Sequence, residues 1–183
     1  MGSALAQAAL DLGYEVIVVS GPVTVDYPQR AVVRWVVSTE ELLERCREIF
    51  PSCGGMIAAA APCDYRPVRV AEEKISKTGQ PLELRLVETP DVAATLGAEK
   101  RSDQWTVGFA LETEDQRFRA LAKLERKCCD LIVLNGPDAM NSPQNHVEII
   151  DPSGRVLREL QGDKEEVARG ILQVIESHLE REF

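Results

Sequence analysis

The sequence lacks the features that mark several common classes of protein. Its five cysteines include no CxxC pair and its two histidines lie far apart, so we predict neither a disulfide framework nor a zinc site. No apolar run is long enough to cross a bilayer, and no signal peptide is recognisable. We therefore expect a reduced, cytoplasmic chain that forms one domain over residues 1–183 and has no membrane partner.

Common signatures of nucleic-acid and cofactor binding are missing as well. The net charge of −9 argues against nucleic acid as a partner, because nucleic-acid binding requires a basic surface. Neither GxGxxG nor GxxxxGK[ST] occurs, which leaves no dinucleotide fingerprint and no P-loop. A local group of lysines can still bind a small anion against the overall negative charge.

What the sequence does contain is an alternation of short apolar runs with helical segments. Only 5% of the residues are aromatic, so Ala, Val, Leu and Ile must fill the core. The apolar runs predict strands at residues 15–20, 32–37, 56–60, 82–87, 105–110, 131–135, 147–150 and 156–160. This order indicates an α/β fold with three layers, α/β/α, a mostly parallel sheet and a C-terminal hairpin.

Four helix starts carry capping signals. Ser38 opens the capping-box pattern S-T-E-E, and Asp163 is the expected cap of the last helix. The stretch Thr89-Pro90-Asp91 is typical of an N-cap followed by proline at the first helical position and an acid in the first turn. Thr113 with Gln116 predicts one more start of this kind.

Polar residues follow three of the predicted strands. Asp64 comes after the strand at 56–60, Glu112 after the strand at 105–110, and Asn135 ends the strand at 131–135. Parallel strands bring their carboxyl ends to one edge of the sheet, where α/β proteins bind ligands. We therefore expect these residues to lie close together.

Positive charge and a helix start accompany this edge. Lys74 and Lys77 follow in the segment after Asp64, while Lys123 and Lys127 share one helix face. Lysines, a helix N-terminus and an acid that could hold Mg²⁺ are the components of a polyphosphate site. From the residues alone, ordinary surface roles for the same side chains remain open.

Seven segments of the chain resemble one known family, the phosphopantothenoylcysteine synthetase (phosphopantothenate–cysteine ligase) domain of DNA/pantothenate metabolism flavoproteins. They occur in the family's order, extend over nearly all of the chain, and imply a Rossmann-like fold. The segments are MGSALAQAALDLGYEVIVVSGPV, AAAAPCDYRP, EEKISK, ETPDVAATLG, VGFALET, KLERKCCDLIVLN and KEEVARGILQVI.

The resemblance implies a two-step ligase of coenzyme A biosynthesis. The carboxylate of 4′-phosphopantothenate would attack the α-phosphorus of a nucleoside triphosphate, CTP rather than ATP in most bacteria, with Mg²⁺ offsetting the charge. The amine of cysteine would then attack the acyl carbon and release the nucleoside monophosphate. The family also implies a homodimer, in some members associated with a flavin-dependent decarboxylase half.

The resemblance further implies roles for individual residues. Lys74, in a mobile flap, would bind the triphosphate and act in catalysis, and Asn135 would contact the substrate. The remaining implied nucleotide contacts are Ala58, Ala59, Ala60, Asp64, Pro90, Asp91, Val92, Ala93, Phe109, Lys123 and Lys127. The resemblance names no metal ligand.

The sequence departs from the family at its beginning and in the flap. It opens at Met1-Gly2, where the family has already passed a first strand and a Gly-rich loop, and we expect the missing strand to belong in the middle of the sheet. Ser76 stands where the family usually has lysine, and Gly136 where it often has aspartate. An inactive nucleotide-binding homologue and a dimerisation module are therefore the alternatives to a ligase.

Overall fold

Strands and helices alternate through residues 1–136 and 145–179, the part of the chain that the computed structural model describes. The strands are β1 Ile17–Ser20, β2 Val32–Trp35, β3 Gly55–Ala58, β4 Tyr65–Pro67, β5 Leu86–Glu88, β6 Trp105–Leu111, β7 Leu131–Asn135, β8 Asn145–Ile150 and β9 Val156–Gly162. The helices are α1 Gly2–Asp11, α2 Thr39–Ile49, α3 Val92–Glu99, α4 Gln116–Arg126 and α5 Lys164–His178, with a 3₁₀ turn over Phe50–Ser52. The predicted α/β class is confirmed.

The strands form one large sheet and two small ones. The large sheet has the order β3-β6-β7-β8-β9, in which β3, β6 and β7 are parallel and the β8–β9 hairpin is antiparallel. β1 and β2 form a separate parallel pair, and β4 and β5 form an antiparallel ribbon. Among the described strands, β1 and β3 each pair on one side only, so no described strand joins these two sheets.

The large sheet is covered on both faces. The alternation of side chains along β6 and β7 directs Val107 and Val133 to α1 and α5, in a core that includes Leu5 and Ile171. The alternate residues, such as Ile132, pack against α4. Helices α2 and α3 share a smaller cluster around Phe50 and Leu96. This arrangement is the predicted three-layer architecture.

Local signals fix two of the helix starts as predicted. The Ser38 side chain accepts a hydrogen bond from the Glu41 backbone N–H at the start of α2. At α5, Asp163 and Glu166 form a complete capping box. Each contact satisfies backbone N–H groups that a helix leaves without an internal partner.

The other two starts differ from the prediction. Thr89 does not cap α3, because its hydroxyl and its backbone N–H bond to the backbone of residues 63 and 64, and Asp91 is the N-cap instead. α4 begins after Asp115, which has a left-handed backbone and no side-chain cap, rather than after Thr113. Both starts thus lie two residues beyond their predicted positions, and at α3 a tertiary contact of Thr89 accounts for the shift.

Within residues 1–136 and 145–179, no helix combines the length and the apolar character needed to span a bilayer.

Candidate functional site

The carboxyl ends of β3, β6 and β7 lie side by side because these strands are parallel. Ala58, the last residue of β3, is in register with Gly108, whereas β6 continues to Leu111, in register with Asn135 of β7. β6 therefore extends past β3. Phe109, the residue of β6 after Gly108, is half-buried. Because β3 has ended at this level of the sheet, Phe109 lies next to the residues that follow β3.

Small and polar residues follow β3. The Ala59 backbone N–H donates to the Ile57 carbonyl over 3.2 Å, which turns the chain out of the strand, and Ala60 is exposed. Methyl side chains at this place let a ligand approach the backbone closely. Asp64 is also exposed, and none of the ion pairs of the described residues includes it. Its carboxylate is thus available to a ligand.

The β4–β5 ribbon rises from this point. Its base is closed where the Thr89 backbone N–H donates to the Asp64 carbonyl over 2.9 Å. An ion pair between Arg66 of β4 and Glu40 of α2 ties one side of the ribbon to the body of the domain. Lys74 lies in the fully exposed segment between β4 and β5. The ribbon can therefore carry Lys74 as an arm beside the sheet edge.

The start of α3 already holds a carboxylate. The Asp91 side chain accepts a hydrogen bond from the Ala94 backbone N–H and lies 2.8 Å from Lys127 Nζ. Partial burial acts to raise the pKa of Asp91, but the hydrogen bonds from Lys127 and Ala94, with the charge of Arg126, hold that pKa below its usual value. The sequence predicted that the N-terminus of α3 could bind a phosphate. In the structure the carboxylate of Asp91 occupies that anion-binding position.

Val92 and Ala93 begin α3 as buried core residues, each 9% exposed. Pro90, just before the N-cap, is half-buried. These residues shape the start of the helix, so a ligand could contact their backbone more readily than their side chains.

Lys123 of α4 and Lys127, the C-cap residue of that helix, are each paired with an acid. Lys123 Nζ lies 2.5 Å from Glu112 Oε1. Oε1 is buried and has no hydrogen-bond partner among the described residues. The contact is an ion pair, because opposite charges at this distance attract each other whatever the orientation of the two groups. Lys123 and Lys127 were predicted to share one helix face, and in the structure each forms an ion pair with a carboxylate.

Asn135 ends β7 beside Glu112. Its backbone carbonyl accepts a hydrogen bond from the Glu112 N–H over 3.4 Å. Its side-chain Oδ1 is buried and has no partner in the described part of the chain. An acceptor in this state is costly unless a ligand or water satisfies it, which fits the substrate contact expected of Asn135.

The topology brings most of the expected residues to one edge of the sheet. Lys74 is the exception, since it lies out on the ribbon. In the described residues no three His, Cys, Asp or Glu side chains group in a way that could hold a metal ion. Sequence reasoning noticed Glu112 as an acid after a strand but did not select it as a site residue. The signal that could have selected it is its position directly after a buried strand and before a helix with a lysine.

Comparison with known proteins decides the family. The family model described as "DNA/pantothenate metabolism flavoprotein C-terminal domain" matches residues 1–179. The chain belongs to this family. The match confirms the resemblance drawn from the seven segments.

Individual relatives agree with this membership. A "Coenzyme A biosynthesis bifunctional protein CoaBC" of Haemophilus influenzae is 32% identical over 181 residues, which are 97% of this chain and 45% of the relative. A "Cysteine/Cysteine sulfinic acid decarboxylase" from an unknown prokaryotic organism is 39% identical over 180 residues, 96% of this chain and 50% of the relative. The chain thus spans about half the length of the curated relatives it matches.

A solved structure shares the whole fold. The C-terminal domain of a CoaBC bifunctional protein aligns with a TM-score of 0.81 at 35% identity, over 98% of this chain and 82% of that one. Nearly the whole of this chain is therefore aligned with that domain.

Proposed function

We propose that this domain joins 4′-phosphopantothenate to cysteine in coenzyme A biosynthesis, with CTP as the preferred nucleotide and ATP as the alternative. Family membership makes this the first function to test. The observation that carries the proposal is the meeting of β3, β6 and β7 at one edge, beside Asn135 Oδ1, which has no partner among the described residues. Such an edge suits a reaction that depends on positioning and electrostatics more than on covalent catalysis by the protein.

The first step forms an acyl-nucleotidylate. A carboxylate oxygen of phosphopantothenate bonds to the α-phosphorus, and the bond from that phosphorus to the bridging oxygen breaks, releasing pyrophosphate. Ala58, Ala59 and Ala60 would lie against the nucleotide, Phe109 would pack beside it, and Asp64 would contact it. The Asn135 amide would contact the substrate near its reacting carboxylate.

The second step forms the amide. The amine nitrogen of cysteine bonds to the acyl carbon, the carbon–oxygen bond to phosphate breaks, and the nucleoside monophosphate leaves with that oxygen. The proton of the attacking amine passes to solvent. In the first step, Lys74 would close over the triphosphate from the ribbon, and Lys123 and Lys127 would add positive charge from α4 and from the residue that follows it. A lid lysine of this kind acts in the closed state, so we assign it a catalytic role.

We expect Mg²⁺ to bind together with the triphosphate, because the described residues provide no group of three side chains that could hold the ion without it. Mg²⁺ is commonly held by one or two carboxylates together with phosphate oxygens. Asp64 is an exposed carboxylate at the strand end that could supply one ligand. When bound, the ion would neutralise charge that develops on the leaving pyrophosphate.

A second copy of this chain is the partner that the ribbon favours. The ribbon and the segment between its two strands carry several apolar side chains that are more than half exposed, and a domain of this size rarely exposes so many together. They are Tyr65, Val68, Val70, Leu82, Leu84 and Leu86. We therefore propose a homodimer through the ribbon. A flavin-dependent decarboxylase half is a further proposed partner, and the free state of all five cysteines suits a reducing cytoplasm.

The alternative is an inactive homologue that binds nucleotide without turnover. A pyrophosphate-release assay separates the two functions. The purified chain receives phosphopantothenate, cysteine, Mg²⁺ and either CTP or ATP, with the Haemophilus influenzae relative as positive control. Release that requires phosphopantothenate supports the ligase and names the nucleotide. Nucleotide binding without release would contradict the ligase and support the inactive homologue.

A further inference from the structure

Glu112 is a carboxylate buried at the edge proposed to bind nucleotide. Its side chain is 8% exposed, whereas that of its partner Lys123 is 35% exposed. Glutamate is rarely buried to this degree unless it is paired, because the charged form loses its hydration. The ion pair therefore joins a fixed, buried acid to a cation that still reaches solvent.

A backbone hydrogen bond helps to hold Glu112 in place. Its N–H donates to the Asn135 carbonyl, so the contact between β6 and β7 continues one residue beyond the end of β6. Lys123, in contrast, has a long side chain on a helix and could extend freely into solvent. Lys123 Nζ lies 2.5 Å from Glu112 Oε1. The position of Glu112 at the end of β6 therefore determines where the ammonium group of Lys123 lies.

We propose that Glu112 is a positioning residue that holds Lys123 at the carboxyl end of the sheet, where Lys123 meets the phosphates of the nucleotide. This inference rests on the proposed function. Stability alone does not account for the pair, because a buried ion pair is often no more stable than apolar residues of the same volume. An oriented ammonium group, by contrast, spares the bound state the cost of ordering a flexible lysine.

Charge and positioning predict opposite signs for the loss of Glu112. A carboxylate beside a polyphosphate repels it, so if charge alone mattered, Glu112→Gln would tighten nucleotide binding. If Glu112 acts by ordering Lys123, the same change should weaken binding. Ordering one long side chain corresponds to about two- to tenfold in a dissociation constant. We expect a weakening in that range.

The test measures MgCTP and MgATP dissociation constants by calorimetry on the full chain, beside the KM and kcat of pyrophosphate release. Glu112→Gln should raise the nucleotide dissociation constant and KM more than it lowers kcat. Lys123→Met should do the same, and adding Glu112→Gln to Lys123→Met should cause no further weakening. Glu112→Asp keeps the negative charge but moves it away from Lys123 Nζ, so it should also weaken nucleotide binding.

A matched control exists on the same helix. Glu148 of β8 pairs with Arg117 of α4 at 2.8 Å, and β7 separates β8 from β3 and β6. Glu148→Gln should leave nucleotide binding at the parent value, and thermal unfolding of each variant shows whether it is folded. Equal or tighter binding by both Glu112 variants overturns the inference while leaving the ligase intact. A parent chain that binds neither nucleotide overturns both.

Discussion

Asp91 offers a prediction whose size follows from its contacts. Its carboxylate caps α3 through Ala94 and pairs with Lys127, whose side chain is 19% exposed against 38% for Asp91. Loss of an N-cap costs about 1 kcal/mol, and a partly exposed ion pair contributes about 0.5 kcal/mol. Asp91→Ala should therefore lower the free energy of unfolding by about 1.5 kcal/mol.

Asp91→Asn separates the two contributions. Asparagine can still accept the hydrogen bond from the Ala94 N–H, but it cannot form the ion pair with Lys127, so the loss should be only about 0.5 kcal/mol. Urea unfolding followed by circular dichroism at neutral pH measures both variants. Asp103→Ala, which removes an exposed acid whose ion-pair partner among the described residues is the neighbouring Arg101, serves as the control and should unfold like the parent.

The pH dependence gives this prediction a second, independent measurement. Because the folded pKa of Asp91 is lowered, the ion pair stabilises the fold above the unfolded pKa of about 3.9. That contribution is lost as the pH falls through the folded pKa. The difference between parent and Asp91→Asn should thus stay constant from about pH 5 upward and shrink below about pH 4. Equal losses for the Ala and Asn variants at neutral pH would refute the capping role, and an Asn variant as stable as the parent would refute the ion pair.

The remaining predictions concern the ribbon and the packing of α3. Lys74→Ala should reduce pyrophosphate release far more than it weakens nucleotide binding, because Lys74 lies on an exposed arm. Kinetics beside calorimetry measure this, and turnover near the parent value would rule out the lid role. Gly97→Ala should cost about 1–3 kcal/mol of stability, since its Cβ would lie 2.0 Å from the Lys127 carbonyl oxygen. Thermal unfolding tests it, and an unchanged midpoint would mean that α3 and α4 separate without cost.

Part of the site was predictable and part was not. The sequence places Asp64, Glu112 and Asn135 directly after apolar runs, and parallel pairing is enough to bring such residues to one edge. It also places Lys123 and Lys127 on one helix face through their spacing. Spacing says nothing about partners, however. That Lys123 meets Glu112 and Lys127 meets Asp91 depends on how α4 lies against β6 and α3.

Local signals in the sequence determined the order of elements, two caps and the family. Ser38 and Asp163 cap their helices because the hydrogen bonds involved join residues three positions apart or fewer. Tertiary structure alone decided what depends on distant residues. Thr89 is drawn away from α3 by contacts with residues 63 and 64, β8 joins the large sheet antiparallel to β7, and β1 and β2 form a sheet of their own. Pairing between strands far apart in sequence leaves no local pattern, so no reading of short segments could have given it.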